Sequence, residues 1–338
     1  LALPEAIAPS DPQALGAFVG SSLRELRFGG AGLLMSVPRG QAVLKPLTLP
    51  PATPPGQMPS MVQFQVDKEL PFRPEEAVID FAVESHFDAG GEGAPQGIEV
   101  LAAAVRLPLV DYYRKLAEAA GLPLLRLGLR PYANVCCLRV CRKEPADRNV
   151  ALIHLSSEEA EIDILAGDSL ALSRSAGLGL PAGAATDAQK ASAVTSLAMD
   201  VVRSLQGFGA IQRSARIDRV LVAGGVGIEP ELVAQLAART KLPCERLDVE
   251  QGLGLRREVA DAGAFLPALG LALGHGQADR LPFDFLNPKR PPVERNTRKT
   301  RLQAAAAGAL FALVAVAMGL NHYIGGLDKA NPQIGRAH

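Results

Sequence analysis

The stretch VLVAGGVGIEPELVAQLAARTKLPCERLDV (220–249) decides the fold class. Arg219–Ala223 reads as a short apolar strand of the kind buried in a sheet. It runs into Gly224-Gly225-Val226-Gly227, and a helix over Pro230–Thr240 follows, opened by Glu229 and Glu231, whose charges suit a helix N-terminus. Leu242–Leu247 reads as the next strand. Strand, glycine turn, helix and strand within thirty residues make an α/β unit. Bare backbone at Gly224, Gly225 and Gly227 lets a ligand approach the helix N-terminus. The same glycines also serve many tight turns for steric reasons alone.

The alternation continues on both sides. Ala31–Val37 and Ala42–Leu49 read as a hairpin around Pro38-Arg39-Gly40. Prolines at 50, 51, 54, 55 and 59 form a stiff connector. Met61–Leu70 reads as a helix with Met61, Phe64 and Leu70 inward, stopped by Pro71-Phe72-Arg73-Pro74. Strands Val78–Glu84 and Ile98–Val105 flank a Gly-rich loop. A helix over Val110–Ala120 ends at Gly121, a normal residue for a helix end. Strand Leu124–Leu129 precedes a helix running to Cys141.

After a polar linker come strands Val150–Leu155, Glu161–Leu165 and Ser169–Ser173. The second alternates Ile162 and Ile164 with Glu161 and Asp163, as a half-exposed strand does. Helices over Asp187–Gln206 and Ala262–Leu273 complete the pattern. The two blocks, 30–141 and 150–275, predict a two-lobed α/β body with mixed sheets, and 48% hydrophobic residues supply its core.

Near the end stands LQAAAAGALFALVAVAMGL (302–320), which contains no charge. Its nineteen residues would span roughly 28 Å as a helix, close to a bilayer core. The thirteen residues before it, KRPPVERNTRKTR, carry six cations against Glu294. This predicts a single-pass membrane protein with the large N-terminal part cytoplasmic and residues 321–338 beginning a part on the far side. Formal net charge is zero, divided as −6 over 1–288, +5 over 289–301 and +1 over 302–338. A mildly acidic body argues against nucleic-acid binding, while the basic block suits anionic headgroups. Ala305, Gly308 and Ala309 offer small-residue contacts for a homodimer. The chain opens on Leu1 and stops shortly after the apolar segment, so both ends are expected to be truncated.

The motif inventory excludes several chemistries. Gly177-Leu178-Gly179 and Gly183 miss the dinucleotide fingerprint, and neither a Walker A sequence nor a nucleophile elbow occurs. The five histidines are scattered. Cys136, Cys137 and Cys141 do not have zinc-knuckle spacing and read as reduced core thiols.

Residues 220–249 resemble the adenosine-side motif of actin-like ATPases. More closely, they resemble the PilM proteins of type IV pilus assembly and the cytoplasmic domain of their type II secretion counterpart, GspL. VQFQVDKELPFRPEEAVIDFAVE (62–84) adds a helix, a Pro-Phe stop and a strand with an aspartate. Glu69, Pro71, Phe72 and Asp80 match that pattern loosely. VLAAAVRLPLVDYYRKLAEAAGLPLLRL (100–127) fits the same family. The resemblance spans about residues 20–275 and implies a bilobed actin-like (ribonuclease H-like) domain over 1–280, with 75–141 as an inserted subdomain.

In that family the second phosphate hairpin reads D-x-G-x-x-x-T/S. The matching residues here are His154-Leu155-Ser156-Ser157-Glu158-Glu159-Ala160, so the aspartate, glycine and hydroxyl are all replaced. ATP with magnesium would reach Gly224, Gly225, Gly227, Ser156 and Ser157, but Glu158 and Glu159 bring like charge to where phosphates would sit. The resemblance therefore implies a pseudo-ATPase that requires no cofactor and has no catalytic or metal-binding residue.

A second resemblance lies in LPFDFLNPKRPP (281–292), which is similar to the cytoplasmic I-N-L-L-P peptide of PilN proteins that docks into the PilM cleft. Phe283, Phe285 and Leu286 would be anchors and Asn287-Pro288 the end of the strand-like piece. Residues 281–301 would then be a PilN-like peptide and basic linker ahead of the span. Together these imply a non-enzymatic inner-membrane scaffold of a pilus or secretion platform, with platform proteins and an assembly ATPase as partners. The rival expectations are a membrane-tethered actin-like ATPase of the division or cytoskeletal type and a sugar or acetate kinase-like enzyme.

Overall fold

The computed structural model describes residues 3–4, 7–30, 32–86, 97–142, 148–167, 169–180, 185–211, 216–254, 259, 261–277, 279–291 and 308–321. Two compact units divide the chain, Leu1–Pro291 and Pro292–His338. In the first unit, strands β1 (Leu33–Val37) and β5 (Leu124–Leu129) pair in parallel. Helices α1 (Pro12–Glu25) and α3 (Leu107–Ala120) pack on each other beside them. Asp11 caps α1 by accepting from the N–H groups of Gln13 and Ala14, with Pro12 at the first turn.

A three-stranded antiparallel sheet joins β2 (Ala42–Leu49), β4 (Ile98–Arg106) and β3 (Ala77–His86) in that order. Helix α2 (Met58–Asp67) covers one of its faces with Met58, Val62 and Val66. The expected hairpin over 31–49 is therefore absent. Its two strands exist, but they enter different sheets: β1 finds β5, and β2 finds β4. The inward face of α2 is also one step away from the expected one, and Phe64 is 63% exposed with Lys68 over its ring.

The second lobe is a five-stranded mixed sheet, ordered β10 (Cys244–Arg246), β9 (Arg219–Gly224), β6 (Val150–Leu155), β7 (Glu159–Ala166) and β8 (Ser169–Gly177). Helices α5 (Asp187–Ile211) and α6 (Glu229–Thr240) close one face over Ile153, Ile162, Ile164, Val220 and Val222. The other face receives α4 (Arg130–Cys141), α7 (Val249–Leu253) and α8 (Leu266–Gly274). The expected helix over 262–273 begins as a 3-10 turn, Ala262–Phe265, before α8. Cys136, Cys137 and Cys141 are buried free thiols on α4, with 3.9 Å between the last two sulfurs.

In the second unit, residues 308–321 form a helix with Leu310, Phe311 and Leu313 among its exposed side chains. Among the described residues no helix is long and apolar enough to cross a membrane. The expected span begins at Leu302, and its first six residues, 302–307, lie outside the described ones.

Candidate functional site

Two places gather the residues singled out in the sequence. The first is the end of the second-lobe sheet. Gly224 ends β9 with φ 157°, and the strand turns into α6 as expected. The N–H groups of Val226 and Gly227, at 2.7 and 2.8 Å, donate to the two carboxylate oxygens of Glu229, which is 3% exposed. A side chain at Gly225 would meet Asp261 and Ala264 at about 3 Å, so residues 261–264 cover that glycine. Ser156 and Ser157 lie in the β6–β7 turn. The Ser156 N–H and hydroxyl both donate to the Glu159 carbonyl, and the Glu159 N–H returns a bond to the Ser156 hydroxyl. Ser157 is exposed.

Next to this turn lies a buried polar cluster that joins the lobes. From the first lobe, the Arg39 N–H donates to Glu161 at 2.8 Å and the Gly40 N–H to Glu159 at 3.1 Å. The Arg39 guanidinium donates to the Ser173 carbonyl at 3.0 Å. Asn134 on α4 donates to Glu161 at 2.8 Å and to Asp163 at 3.3 Å. Arg130 stands 3.5 and 3.6 Å from Glu161 and Glu159. Glu161 and Asp163 are fully buried, which corrects the reading of β7 as half exposed.

Burial first, then the Asp163 charge, pushes the Glu161 carboxyl up to about 8, against the opposing pull of Arg130 and the Arg39 N–H. Burial also raises Asp163, with the Ser173 and Asn134 hydrogen bonds opposing it. His154 is buried on β6, and neither ring nitrogen makes a hydrogen bond of normal geometry. Burial, then Arg130, holds it down at about 4, leaving it neutral.

The second place is a groove between β3, β5 and α4 that holds residues 281–289 as a strap. Leu281, Phe283 and Phe285 are buried in the main core. The Phe283 ring lies 5.1 Å from Tyr132 and 6.1 Å from Phe285. Polar groups hold the strap's backbone along its length. Arg126 donates to the carbonyls of Leu281 and Phe283, and the Phe285 N–H donates to the Leu127 carbonyl. Asp80 is 1% exposed. It accepts the N–H of Asp284 at 2.8 Å and both the N–H and the ammonium of Lys289 at 3.1 and 3.0 Å.

The family model for type IV pilus assembly protein PilM matches residues 10–186, more than half of the chain. The chain belongs to the PilM family. Among solved structures, a PilM–PilN type IV pilus biogenesis complex is similar at TM-score 0.66 and 21% identity, over 81% of this chain and 89% of that one. This chain shares that fold. The cytoplasmic domain of EpsL, an inner-membrane component of the Vibrio cholerae type II secretion system, gives TM-score 0.43 and 12% identity over 82% and 83%. A Bacteroides thetaiotaomicron protein with an actin-like ATPase fold gives 0.42 and 10% over 74% and 82%. A search of curated proteins returns no match.

In this PilM-family chain the predicted residues fall into two separate groups. Gly224, Gly225, Gly227, Ser156 and Ser157 sit at the sheet end, and Phe283, Phe285, Leu286, Asn287 and Pro288 in the strap. Leu286 is partly buried against the core. Asn287 is exposed, and its amide donates to Asp284 at 3.1 Å. Sequence reasoning missed Leu281 as an anchor, Asp284 as the organiser of the turn, and the roles of Arg126 and Tyr132, and it took Lys289 only as part of the basic block. Asp80 enters it only as a motif residue. The period-two spacing of Leu281, Phe283 and Phe285 was the available signal. Asp80→Ala is expected to raise the opening of the strap about tenfold, in line with loss of one net charge-assisted bond. Faster hydrogen exchange at Asp284 and Lys289, with the β4 amides unchanged, would show it.

Proposed function

We propose that this PilM-family chain is a non-enzymatic scaffold of a type IV pilus or related secretion platform, tethered to the inner membrane through residues 302–320. The observation that carries the reading is the strap. A segment similar to the docking peptide of PilN proteins is buried in the body of the same chain, only thirteen residues before the apolar stretch begins at Leu302. A shift of the membrane segment would reach the lobes through Asp80, Arg126 and Tyr132 without a separate subunit. Its partners would be other platform proteins and an assembly ATPase.

ATP with magnesium fits the sheet end poorly. The N–H groups at Val226 and Gly227 that could hold a phosphate oxygen are committed to Glu229, and residues 261–264 cover Gly225. Glu159 and Glu161 occupy the N–H groups of the facing lobe. A new anion would have to displace carboxylates and endure their charge. These contacts support a pseudo-ATPase. Calorimetric titration of the full chain in lipid nanodiscs with ATP and magnesium tests it. No heat of binding and no phosphate release are expected, whereas micromolar affinity with turnover would sink the scaffold reading.

A further inference from the structure

Helices α1 and α3 run side by side in the same direction. Gly16 lies against Leu116, and Gly20 lies directly on the Ala120 carbonyl. The two helices therefore end together, and each leads into one of the two parallel strands, β1 and β5. The loop after α1 and the start of β5 carry large apolar groups into solvent at this end. Leu26 and Phe28 are each 66% exposed and Leu125 is 44% exposed, with Pro123 exposed beside it. They lie close together: the Phe28 ring sits on Gly30, and Leu125 sits on Gly32, whose neighbour Leu33 donates to the Pro123 carbonyl. Arg24 and Arg27, both exposed, flank them, with Glu25 at the end of α1 and Glu118 beside Pro123 as nearby anions. Arg27 holds a left-handed backbone, φ 52°.

Exposed apolar groups rimmed by polar ones usually mark a contact surface. Two observations say what covers this one. Leu286 and Asn287 of the strap share a surface recess with Leu122, Pro123 and Leu124, so the chain leaves the body close to this end. Immediately beyond lie Lys289, Arg290 and the rest of the +5 block, and then the apolar segment. Arg24 and Arg27 stand next to the apolar groups themselves, on a body that sums to −6 over 1–288. Aromatic and leucine side chains beside arginines match the boundary between acyl chains and anionic headgroups.

We infer that the end of the body formed by Leu26, Phe28 and Leu125, with Arg24 and Arg27, is a lipid-facing surface that seats the body on an anionic bilayer. This rests on the membrane tether proposed above. Seating fixes the orientation of the body, which a linker alone would leave free.

The chain contains no tryptophan, so Phe28→Trp supplies a single reporter, and Phe64→Trp on α2 is the exposed comparison. The full-length variants are reconstituted in nanodiscs of phosphatidylglycerol or phosphatidylcholine with brominated acyl chains. In phosphatidylglycerol, the indole emission of the Phe28→Trp variant is expected to shift to the blue. It should also be quenched at least threefold more than that of the Phe64→Trp variant. Adding Arg24→Glu and Arg27→Glu is expected to remove at least half of that quenching. Equal quenching in both variants, or quenching indifferent to the arginine changes, overturns the inference while leaving the tether intact. A chain that does not enter nanodiscs at all overturns the tether and the seating together.

Discussion

Replacing Phe283 with alanine is expected to cost the body about 3–5 kcal/mol, the range for losing a buried aromatic ring. Phe283 is fully buried, and its ring shares the main core with Leu127, Leu129, Tyr132 and Leu271. The cavity left behind cannot collapse easily, because strand β5 and helix α4 are held apart by their own sheet and helix contacts. The cost falls on the whole body rather than on a tail. The Arg126 and Asp80 contacts go to backbone groups and the Lys289 ammonium, which alanine leaves in place, so any opening of the strap should follow from the lost packing alone. Urea unfolding of the full chain, read by the midpoint and by protease cleavage after Lys289, measures both. Phe64→Ala is the comparison, because that ring is mostly exposed and should change the midpoint little. A midpoint shift for Phe283→Ala no larger than for Phe64→Ala would mean that the strap is not part of the core. Phe285→Ala should give a similar loss, and the double variant less than the sum, because the two rings touch.

The strap also shows what a sequence makes readable. Phe283 and Phe285 stand out because aromatics are rare in this chain, at 4%, and two of them bracket one residue just before a basic block. What they pack against is not readable: Asp80 is more than 200 positions away, and nothing local announces that a carboxylate will accept Lys289. The element types are legible for the same local reason. Apolar runs, prolines and glycines punctuate the chain, and α3 ends at Gly121 in the left-handed conformation as its sequence implies.

Strand pairing is not legible. Pro38-Arg39-Gly40 looks like a hairpin turn, yet it forms a 3-10 turn that sends β2 to a different sheet, because the parallel partner of β1 lies some ninety residues away. Glu161 and Asp163 mislead most. Alternation of charge with isoleucine ordinarily marks a solvent face, but here α4 and the Arg39 turn cover that face. The glycine turn at 224–227 stands where the pattern puts it, whereas its occupation by the Glu229 carboxylate depends on side-chain reach that the pattern does not encode.

The buried carboxylates make the joint between the lobes sensitive to pH, with a definite sign. Glu161 binds its proton more tightly in the folded chain, near pH 8, than an unfolded glutamate does, near 4.5. Between those values the folded state holds the extra proton, so stability falls as pH rises through the window and levels off above it. Asp163, also raised, adds to the lower part of the same fall. Glu161→Gln stays neutral throughout, and its carbonyl can still accept the Arg39 N–H. It is expected to be less stable than or equal to the natural chain near pH 5, and more stable by about 3 kcal/mol near pH 8.5, where burying the charge costs most. Glu158→Gln, at an exposed position in the same turn, should leave the profile unchanged. Unfolding midpoints measured from pH 5 to 9 decide it. If Glu161→Gln falls with pH as steeply as the natural chain, another group carries the dependence. If it flattens, the contact between the Arg39 turn and β7 is strongest when Glu161 is protonated. The two lobes are then held by a neutral hydrogen-bonded acid.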